Sequence, residues 1–327
     1  MTARPQMKLQ KNGNIIAVEK ELSGVLAVDK EASMTSFDVV SAIRRATGVR
    51  RVGHTGTLDP FATGILPICI GDATKIVPFL MDGTKEYFAT ARFGLETTTG
   101  DPEGDIVAHG NYDGLDPGQV VEISRQFVGH IAQRPPLYSA IKVKGKRLYE
   151  FARANIDVDI PERTVQIQDI QLVNWNAPVA VFQITCSKGT YIRSLIRDIG
   201  RIAGCFATLT ELRRTQTGGL SVQNSVTVSE IRSLSKEGLA QRIISVDNAL
   251  AHLPELKVDS EIAWRIGVGQ KLSTGQLLGL PAENIPFRVV GFNESTIAIA
   301  VHSGGLVRVV RGLQPQQPKT LKPIAVP

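Results

Sequence analysis

The stretch from Gly53 to Ile70 constrains this chain more than any other, because it surrounds one carboxylate with residues that free the backbone. Glycines stand at 53, 56 and 64, and Asp59-Pro60 forms a turn-prone step between them. Glycine permits backbone conformations that other residues rarely adopt. The loop then runs into Ile65 to Ile70, which is apolar throughout. The pattern indicates a loop that presents Asp59 beside a strongly apolar segment.

Two other readings of the loop follow from its residue types. A phosphate-binding loop would close with Gly-Lys-Ser/Thr, whereas Gly56 is followed by Thr57 and Leu58, so that reading fails. The plainer alternative is a turn in which the carboxylate of Asp59 caps a backbone N–H, as Asp-Pro steps often do. The loop alone leaves this alternative open.

Metal chemistry has little support in the sequence. His54 and Asp59 would need a third ligand, and only Asp72 and Asp82 stand nearby. The three cysteines are far apart and form no C-x-x-C pair. We therefore expect no metal site, no disulfide framework and three buried thiols in a reducing compartment.

The length of 327 residues, with 43% hydrophobic and 21% charged residues, predicts a globular protein of two domains. The first 21 residues are polar and lack an apolar core of the signal-peptide kind, and no apolar stretch approaches the ~20 residues of a membrane helix. The sequence therefore predicts a cytoplasmic protein without a membrane association.

The formal net charge of +6 favours a polyanionic partner, and its distribution says more than its size. Basic residues gather in four clusters beside glycines, aromatics or helix ends: Arg44-Arg45, Arg50-Arg51, Lys142 to Arg147, and Arg213-Arg214. Any one cluster is most simply a solvated face. Several clusters around one catalytic-looking loop favour contacts with phosphates.

Apolar spacing predicts a mixed chain of strands and helices. Residues 24–28 read as a buried strand, and a helix follows from an N-cap at Ser36 to Gly48. Side chains alternate over residues 86–95 and 179–186, as in strands. Between these two segments, Asp116 starts a predicted helix that carries Val120, Phe127 and Ile131. The elements have no regular βαβ period, so we expect an α+β fold with a largely antiparallel mixed sheet flanked by helices.

A further helix is predicted from Tyr191 to Ala203. One face carries Ile192, Leu195, Ile196, Ile199 and Ile202, and Arg193, Arg197 and Arg201 recur on another. Arg197 and Arg201 fit a solvent face with Asp198 as local partner. Arg193 differs because it lies in the first turn after a Gly-, Lys- and Thr-rich junction, where an anion or a carboxylate is readily held.

The sequence pattern changes near Asp247, and short segments with alternating apolar residues follow, as in small β-barrels. We predict an N-terminal extension over residues 1–22 and a main domain over 23–248. A β-barrel module then covers 249–313, and a loose proline-rich tail covers 314–327.

Several blocks together resemble one known family. The loop Gly53-His54-Thr55-Gly56-Thr57-Leu58-Asp59-Pro60 with Ala62-Thr63-Gly64 is similar to the signature of the TruB family of tRNA pseudouridine synthases. Further blocks of that family follow in its order: Asp29-Lys30 with Thr35 to Val40, Lys85-Glu86-Tyr87, Gln133 to Lys142, Arg147 to Glu150, Cys186 to Arg193, and Leu212 to Thr215. They span about residues 24 to 218.

The resemblance implies the pseudouridine synthase fold and the isomerisation of uridine 55 in the T loop of tRNA, without metal or organic cofactor. The enzyme would flip the nucleotide out of its stack, cleave the glycosidic bond and rejoin the base through carbon. By matching position, Asp59 would be the catalytic carboxylate, acting as nucleophile or as base. Arg193 would hold it ionised and oriented, and Tyr87 would stack on the uracil and help move a proton.

The same resemblance implies that residues 23–248 are the catalytic domain, with a thumb-like insertion near 133–155. It also implies further contacts. His54 would help hold the nucleotide out, Tyr191 and Leu212 would line the base pocket, and Lys30 would lie near the site. The residues expected to bind RNA phosphates are Lys142, Lys144, Lys146, Arg147, Arg213 and Arg214. The C-terminal module resembles a PUA-type domain and is expected to touch the tRNA elsewhere.

The chain departs from the family pattern at two places. The family usually has Pro-x-Gly where this chain has Glu31-Ala32-Ser33, and Phe206 and Thr208 replace a common glycine and histidine. These changes affect a local turn and the pocket rim rather than the catalytic set.

Two rival functions predict different sequences. An RNA-binding or RNA-folding protein without turnover would be indicated by substitution of Asp59, Tyr87 or Arg193, and all three are present. A guide-RNA-dependent subunit would lack the thumb-like stretch in this form. The sequence thus favours a stand-alone enzyme that acts on the T arm of tRNA, with no guide RNA and no obligate protein partner.

Overall fold

The structure is a computed structural model that describes residues 7–9, 15–17, 22–139, 141–143, 145–154, 156 and 158–313. The predicted tail at 314–327, most of the predicted N-terminal extension and Lys144 lie outside these residues. None of the helices in the described part is long and apolar enough to cross a bilayer.

The helices within the described ranges are mostly short. They are α1 (Ser36–Thr47), α2 (Val77–Leu80), α3 (Pro117–Arg125), α4 (Leu148–Arg153), α5 (Ile192–Ile202), α6 (Val228–Ser233), α7 (Lys236–Gln241), α8 (Val246–Ala249) and α9 (Ser260–Gly267). Short 3₁₀ helices cover Gly71–Ile76, Val222–Asn224 and Thr274–Gln276.

The strands make up most of the regular structure. They are β1 (Met7–Leu9), β2 (Ile15–Ala17), β3 (Gly24–Lys30), β4 (Val52–His54), β5 (Thr63–Ile70), β6 (Lys85–Phe93), β7 (Leu95–Thr97), β8 (Ile106–His109), β9 (Gly129–Gln133), β10 (Lys142–Val143), β11 (Lys146–Arg147), β12 (Arg163–Asn176), β13 (Val179–Cys186), β14 (Ala207–Thr217), β15 (Leu220–Ser221), β16 (Val226–Thr227), β17 (Glu255–Lys257), β18 (Leu272–Ser273), β19 (Phe287–Val290), β20 (Thr296–Ser303) and β21 (Leu306–Gly312).

A ten-stranded sheet forms the body of the protein, with the order β16-β3-β5-β14-β6-β13-β12-β9 and with β4 and β15 paired at its side. Its neighbours are antiparallel except for the β3–β16 and β5–β14 pairs. The predicted α+β fold with a largely antiparallel mixed sheet is confirmed. The topology brings β5, β14 and β6 side by side at the centre, although they are far apart in the sequence.

The N-cap of helix α1 lies one residue earlier than predicted. Thr35, not Ser36, is the N-cap, and a capping box joins it to Asp38. Ser36 is buried and bonds to the glycine-rich loop instead. The predicted end is correct, since Gly48 adopts the left-handed conformation (φ +73°) that closes many helices.

The helix predicted from Asp116 is shorter than expected. Asp116 is the N-cap as predicted, but α3 ends at Arg125, and Phe127 lies in the turn that follows. Ile131 belongs to the strand β9, which pairs with β12. The apolar spacing continues beyond the helix because both elements cover the same core.

The main core lies between the sheet and the helices packed on it. The faces of β6 and β13 that point inward carry alternating buried residues, such as Ala89, Ala91 and Phe182. Helix α5 contributes Leu195 and Ile199, which are fully buried. Other core residues include Leu26, Ile43, Leu66, Ile68, Phe93, Ile184, Ile196 and Leu209. The three cysteines are buried and unpaired, as expected.

Helix α5 differs from its prediction at Ile202 and at Arg201. Ile202 falls on the predicted apolar stripe, but it is 53% exposed at the last turn. Arg193, which the sequence analysis set apart from the solvent face, is buried. Arg197 pairs with Asp198 as expected, whereas Arg201 pairs with Glu96 of β7.

The C-terminal strands form a separate five-stranded sheet in the order β17-β19-β20-β21-β18. It curls into a PUA-like half-barrel rather than a closed barrel, since β17 and β18 are edge strands in the described residues. Ile299 and Leu313 of this part pack with Val25, Cys69 and Leu250 in one buried cluster. This cluster joins the half-barrel to the ten-stranded body. The predicted domain limits themselves remain a prediction.

Candidate active site

A cavity of about 260 Å³ opens beside the glycine-rich loop. Its walls come from the loop that joins β4 to β5, from β6 and β14, and from the start of α5. The lining residues are Thr55, Gly56, Thr57, Leu58, Asp59, Met81, Lys85, Tyr87, Ser139, Lys188, Gly189, Thr190, Tyr191, Ile192, Arg193, Leu212 and Arg214. The volume is near the lower end of small-molecule sites, which start at about 300 Å³.

Asp59 and Arg193 meet at the wall of this cavity. Nη2 of Arg193 donates to Oδ1 of Asp59 at 3.1 Å, and Nε lies 3.0 Å from Oδ2. The Nε contact is an ion pair that lacks hydrogen-bond alignment, so one bond and one charge contact hold the carboxylate. Among the hydrogen bonds of the described residues, the carboxylate of Asp59 receives none from a backbone N–H. The alternative of an Asp-Pro capping turn is therefore not what the loop forms.

Arg193 is itself fixed from the opposite side. Nη1 donates to Oδ2 of Asp101 at 3.0 Å and to the carbonyl of Thr99 at 3.1 Å. Nη2 also donates to the carbonyl of Tyr138 at 2.9 Å. With its side chain only 5% exposed, the guanidinium cannot rotate freely between these partners. Arg193 is thus locked between two carboxylates, of which only Asp59 lines the cavity.

The surroundings of Asp59 act on its pKa in opposite directions. Burial raises the pKa of Asp59, Arg193 lowers it, and the nearby Asp101 raises it again. Lys30 lowers the pKa further, and the net result is a pKa above the usual value of a carboxyl group. The arginine therefore only partly offsets the cost of holding a carboxylate at a desolvated site.

Lys30 lies behind the loop rather than in the cavity wall. Its side chain is fully buried, and Nζ donates to the carbonyls of Glu31, Met34 and Pro60 at 2.7 to 3.1 Å. Burial lowers the pKa of Lys30 to about 8, against a smaller opposing effect of Asp59. All three protons of an ammonium are used on backbone oxygens. The geometry favours a lysine that holds the turn after Asp59.

The backbone conformation at Gly64 and its close neighbour strand require glycine at this position of the loop. Gly64 has a φ of +103°, and a Cβ at this position would come within 2.2 Å of the backbone oxygen of Arg214. At this point β5 runs parallel to β14, with Gly64 opposite Arg214. Only glycine lets the two backbones approach this closely.

Arg214 lies under the cavity instead of on the surface. It is 2% exposed, and it donates to the carbonyls of Ile65 and Gly56 at 2.9 and 3.2 Å. Strand alternation turns the side chain of Arg214 inward, so it does not belong to an exposed basic patch, and its predicted contact with RNA stays a prediction. It ties the glycine-rich loop to β14, and it reaches the cavity wall.

Tyr87 and Leu212 supply apolar surface to the cavity from the neighbouring strands β6 and β14. Both are largely buried and line the cavity. Burial raises the pKa of Tyr87, and Arg214 lowers it less. The phenol therefore stays neutral near pH 7, where it can donate a proton or present its ring face.

Tyr191 is anchored through its backbone. Gln133 accepts from the N–H of Tyr191 at 2.8 Å and donates to its carbonyl at 3.1 Å. Ser194 donates to the carbonyl of Arg134 at 2.9 Å. These bonds fasten the base of the predicted insertion to the start of α5. The insertion is thereby connected to the helix that carries Arg193.

Lys85 lies two residues from Tyr87 on β6, on the same face of the strand. It is 8% exposed, and Nζ donates to the carbonyls of Met81 and Gly83 at 3.0 and 2.9 Å. Burial lowers the pKa of Lys85 to about 8. Because an ammonium has three donors, one donor is left for a group in the cavity, in contrast to the saturated Lys30.

His54 stands at the end of β4, just outside the cavity lining. It is half-buried, and Nδ1 accepts from the N–H of Gly56 at 3.3 Å. Burial lowers the pKa of His54, and Arg214 adds to this effect. The imidazole is therefore neutral at pH 7 and held at the rim of the loop.

The predicted phosphate contacts fall into two groups. Lys142, Lys146 and Arg147 are exposed on the two-stranded ribbon of β10 and β11, where Lys142 pairs with Arg147. Lys144 lies outside the described residues. Arg213 is 43% exposed and binds Asp29 with two hydrogen bonds of 3.1 and 2.7 Å. Arg213 thus has an internal partner, whereas the ribbon presents its side chains to solvent.

Sequence reasoning misses three members of the site. Asp101, Gln133 and Lys85 are not among the predicted functional residues, although Gln133 and Lys85 stand inside the matched blocks. Asp101 carries no signal in the sequence, since a lone aspartate in a turn is common. Within the described ranges, no group of three or more His, Cys, Asp or Glu residues has the arrangement of a metal site.

Two solved structures have a similar fold over most of this chain. A Cbf5-Nop10-Gar1 complex matches with a TM-score of 0.70 and 24% identity over 90% of this chain and 86% of that chain. The structure of an H/ACA RNP bound to a substrate RNA containing 2'-deoxyuridine matches with a TM-score of 0.67 and 22% identity, over 89% and 85%. At these identities the likeness establishes the fold, which is the pseudouridine synthase fold that the resemblance implied.

Sequence relatives establish the family. Residues 44–192 match the model of the TruB family pseudouridylate synthase N-terminal domain, and residues 193–251 match that of the tRNA pseudouridylate synthase B C-terminal domain. The tRNA pseudouridine synthase B of Burkholderia pseudomallei (strain 668) is 41% identical over 88% of this chain and 96% of its own length. The protein of that name from Clostridium tetani (strain Massachusetts / E88) is 42% identical over 82% and 92%. The chain belongs to the TruB family of pseudouridylate synthases.

Proposed function

We propose that this enzyme isomerises uridine 55 in the T loop of tRNA to pseudouridine. The observation that carries the proposal is the pair of Asp59 and Arg193 at the wall of a cavity that Tyr87 and Leu212 line. The relatives that match nearly end to end are named tRNA pseudouridine synthase B, which supports tRNA as the substrate.

The reaction requires no atom from outside the substrate other than exchangeable protons. The bond between N1 of the uracil and C1′ of the ribose breaks, the base turns, and a bond forms between C5 and C1′. The hydrogen on C5 leaves as a proton, and N1 takes up a proton. The site supplies a carboxylate, a guanidinium and a phenol, and no step calls for a cofactor.

Asp59 acts in its ionised form, either by attack on the nucleotide or as a base. Both routes start from a carboxylate in a desolvated site, where Arg193 favours the charged form and aims it into the cavity. The buried Asp101 keeps Arg193 in place, so it is a positioning residue that does not touch the substrate. This division of roles follows from which carboxylate lines the cavity.

The remaining cavity residues hold the flipped base. Tyr87 stacks on the uracil ring and, because its phenol stays protonated, serves as a proton donor during product formation. Leu212 and Tyr191 close the pocket around the base. His54 stands at the rim, where a neutral imidazole fills the space that the extruded nucleotide leaves.

The tRNA backbone is held by the basic ribbon. Lys142, Lys146 and Arg147 are exposed on β10 and β11, which suits phosphate contacts that position RNA without reading its sequence. Lys144 completes this set in the sequence. The PUA-like half-barrel contacts the same tRNA away from the T loop.

The enzyme works as a stand-alone cytoplasmic protein that needs no guide RNA. The thumb-like insertion supports this, because Arg193 and Tyr191 bind to its base at Tyr138 and Gln133. The described lining of the cavity comes from this chain's own residues, which supports the proposal.

The test uses purified full-length protein and an unmodified tRNA transcript. Carbodiimide treatment followed by reverse transcription maps pseudouridine, and we expect one new stop that reports position 55. A transcript with cytidine at position 55 and the Asp59→Asn variant are the controls, and neither should give the stop. Modification at other positions, or only after a guide RNA is added, would refute the proposal.

A further inference from the structure

Phe37 is a large hydrophobic side chain that is 63% exposed to solvent. It stands in the first turn of α1, and the guanidinium of Arg44 lies over its ring, 5.8 Å from the ring centroid. Residues seven apart lie on one face of a helix, so the two side chains are held in register. One side of the ring is thus occupied by a cation, and the remainder is open to solvent.

The ring is fixed close to the catalytic loop. Ser36, its neighbour, accepts from the N–H of Leu58 at 2.9 Å and donates to the Leu58 carbonyl at 3.2 Å. Leu58 directly precedes Asp59. Arg44 donates to the carbonyl of Val52 at 3.1 Å, which ties the cation to the strand that enters the same loop. The turn that carries the ring is therefore fastened to the loop of Asp59, although neither Phe37 nor Arg44 lines the cavity.

The surroundings of the ring are basic. Arg45 and Arg50 are exposed, and no carboxylate lies within ion-pair distance of Arg44, Arg45 or Arg50 in the part of the chain that the structure describes. Exposed aromatic rings next to unpaired cations are typical of surfaces that stack unpaired bases and bind the adjoining phosphates. An apolar protein partner would not account for the excess of positive charge.

We propose that Phe37, backed by Arg44, is a stacking platform for a second unpaired nucleotide of the substrate RNA loop, next to the uridine that enters the cavity. This inference rests on the proposed function, because the target nucleotide fixes where the loop lies. Extrusion of one nucleotide breaks stacking with its neighbours, and a second aromatic surface on the turn fastened to the loop of Asp59 replaces one of those contacts. The platform would thereby stabilise the opened loop without touching the reacting atoms.

The test measures equilibrium binding of tRNA transcripts to the full-length protein, with Phe37→Ala, Phe37→Trp and, as matched control, Phe88→Ala. Phe88 is 37% exposed on β6, on the opposite face from Tyr87. We expect Phe37→Ala to raise the Kd about tenfold, as loss of one base–aromatic stack does. Phe37→Trp and Phe88→Ala should bind like the unchanged protein.

A set of transcripts with one abasic site at each T-loop position identifies the stacked nucleotide. At one position the abasic site should weaken binding of the unchanged protein about tenfold and have little further effect on Phe37→Ala. Equal binding by Phe37→Ala, or independent losses at every abasic position, would overturn the proposal. The binding assay needs no turnover, so a failure of pseudouridine formation with the coupling intact would count against the proposed function alone.

Discussion

Arg193 bridges Asp59 and Asp101, with Nη2 3.1 Å from Oδ1 of Asp59 and Nη1 3.0 Å from Oδ2 of Asp101. The two carboxylates are not equivalent. Asp101 is 4% exposed in its side chain and also binds Thr99 and the N–H of Glu103, whereas Asp59 is 31% exposed and lines the cavity. The bridge therefore joins a buried carboxylate to one that lines the cavity through a single cation.

Substitution of Asp101 and substitution of Arg193 should shift the pH dependence of the reaction in opposite directions. Asp101 raises the pKa of Asp59, so Asp101→Asn should move the acid limb of the single-turnover rate to lower pH. Arg193 lowers the pKa of Asp59, so Arg193→Gln should move that limb to higher pH. Both variants should also lose at least about tenfold in maximal rate because the carboxylate is less firmly oriented. The measurement is the rate of pseudouridine formation from pH 5 to pH 9.

Glu96→Gln provides the control for these two variants. Glu96 is buried and binds Arg201 of the same helix as Arg193 with two hydrogen bonds, but neither Glu96 nor Arg201 lines the cavity with Asp59. Glu96→Gln should lower the free energy of unfolding and leave the acid limb of the single-turnover rate at the same pH. A shift of the limb in the same direction for Asp101→Asn and Arg193→Gln would contradict the assignment.

Asp59→Asn should be at least as stable as the unchanged protein at pH 8, although it loses turnover. Because burial raises the pKa of Asp59 in the folded state, the unfolded chain releases this proton at lower pH than the folded chain. The ionised carboxylate thus costs folded-state stability, and this cost appears as the pH rises from the ordinary carboxyl pKa through the raised one. Urea unfolding of both proteins at pH 4 and pH 8 should show the advantage of Asp59→Asn growing with pH. A variant less stable than the unchanged protein at pH 8 would show that the ion pair outweighs burial.

Ser33→Gly should stabilise the protein by about 1 kcal/mol, since the left-handed conformation costs about that much for a residue with a Cβ. Ser33 has a φ of +64° and is exposed, so little packing is lost. Ala32→Gly is the matched control, because Ala32 has no positive φ and should lose stability. Thermal unfolding of the three proteins measures both effects. A Ser33→Gly protein that unfolds at a lower temperature than the unchanged protein would show that the serine is not strained.

Gly64→Ala should be strongly destabilising, whereas Gly53→Ala should be tolerated. The new Cβ at 64 would approach the Arg214 backbone to 2.2 Å and would also impose a strained φ of +103°, which together cost more than about 2 kcal/mol. A Cβ at Gly53 meets no atom within 4 Å. Urea unfolding gives the stability difference, and equal tolerance of the two substitutions would contradict the close approach of β5 to β14.

The sequence predicted residues that meet at the cavity better than it predicted the residues that hold them in place. Asp59, Tyr87 and Arg193 come from three distant blocks, and the structure brings them to one cavity. Local pattern alone could not place Arg193 inside, because its spacing with Arg197 and Arg201 fits an exposed helix face. Arg193 is buried because α5 packs on β14 and brings its first turn against the loop of Asp59, a long-range contact that no local signal encodes.

The positions that depart from the family pattern also show what the local sequence cannot predict. Ser33 and Phe206 stand where the family usually has glycine, and both adopt positive φ values of 64° and 61°. The backbone therefore keeps the glycine-type turn although the residue has changed. The sequence identified these positions but could not tell whether the turn or the residue type would be retained.

The inward orientation of Arg214 has a comparable cause. Its neighbour Arg213 is 43% exposed, and in the sequence the pair reads as one basic patch. Successive residues of a strand point to opposite faces, and β14 lies at the centre of the sheet. Which of the two faces the core depends on the register with β5 and β6, which no local signal reveals.

The most direct test of the account follows the hydrogen on C5 of the target uridine. With a tRNA transcript that carries tritium at C5 of its uridines and an excess of enzyme, formation of the C5–C1′ bond releases one tritium per tRNA to water. We expect the unchanged protein to release that single tritium, and Asp59→Asn to release none while it binds the transcript with the same Kd. Release by Asp59→Asn at the rate of the unchanged protein would contradict the central claim that the carboxylate held by Arg193 performs the reaction.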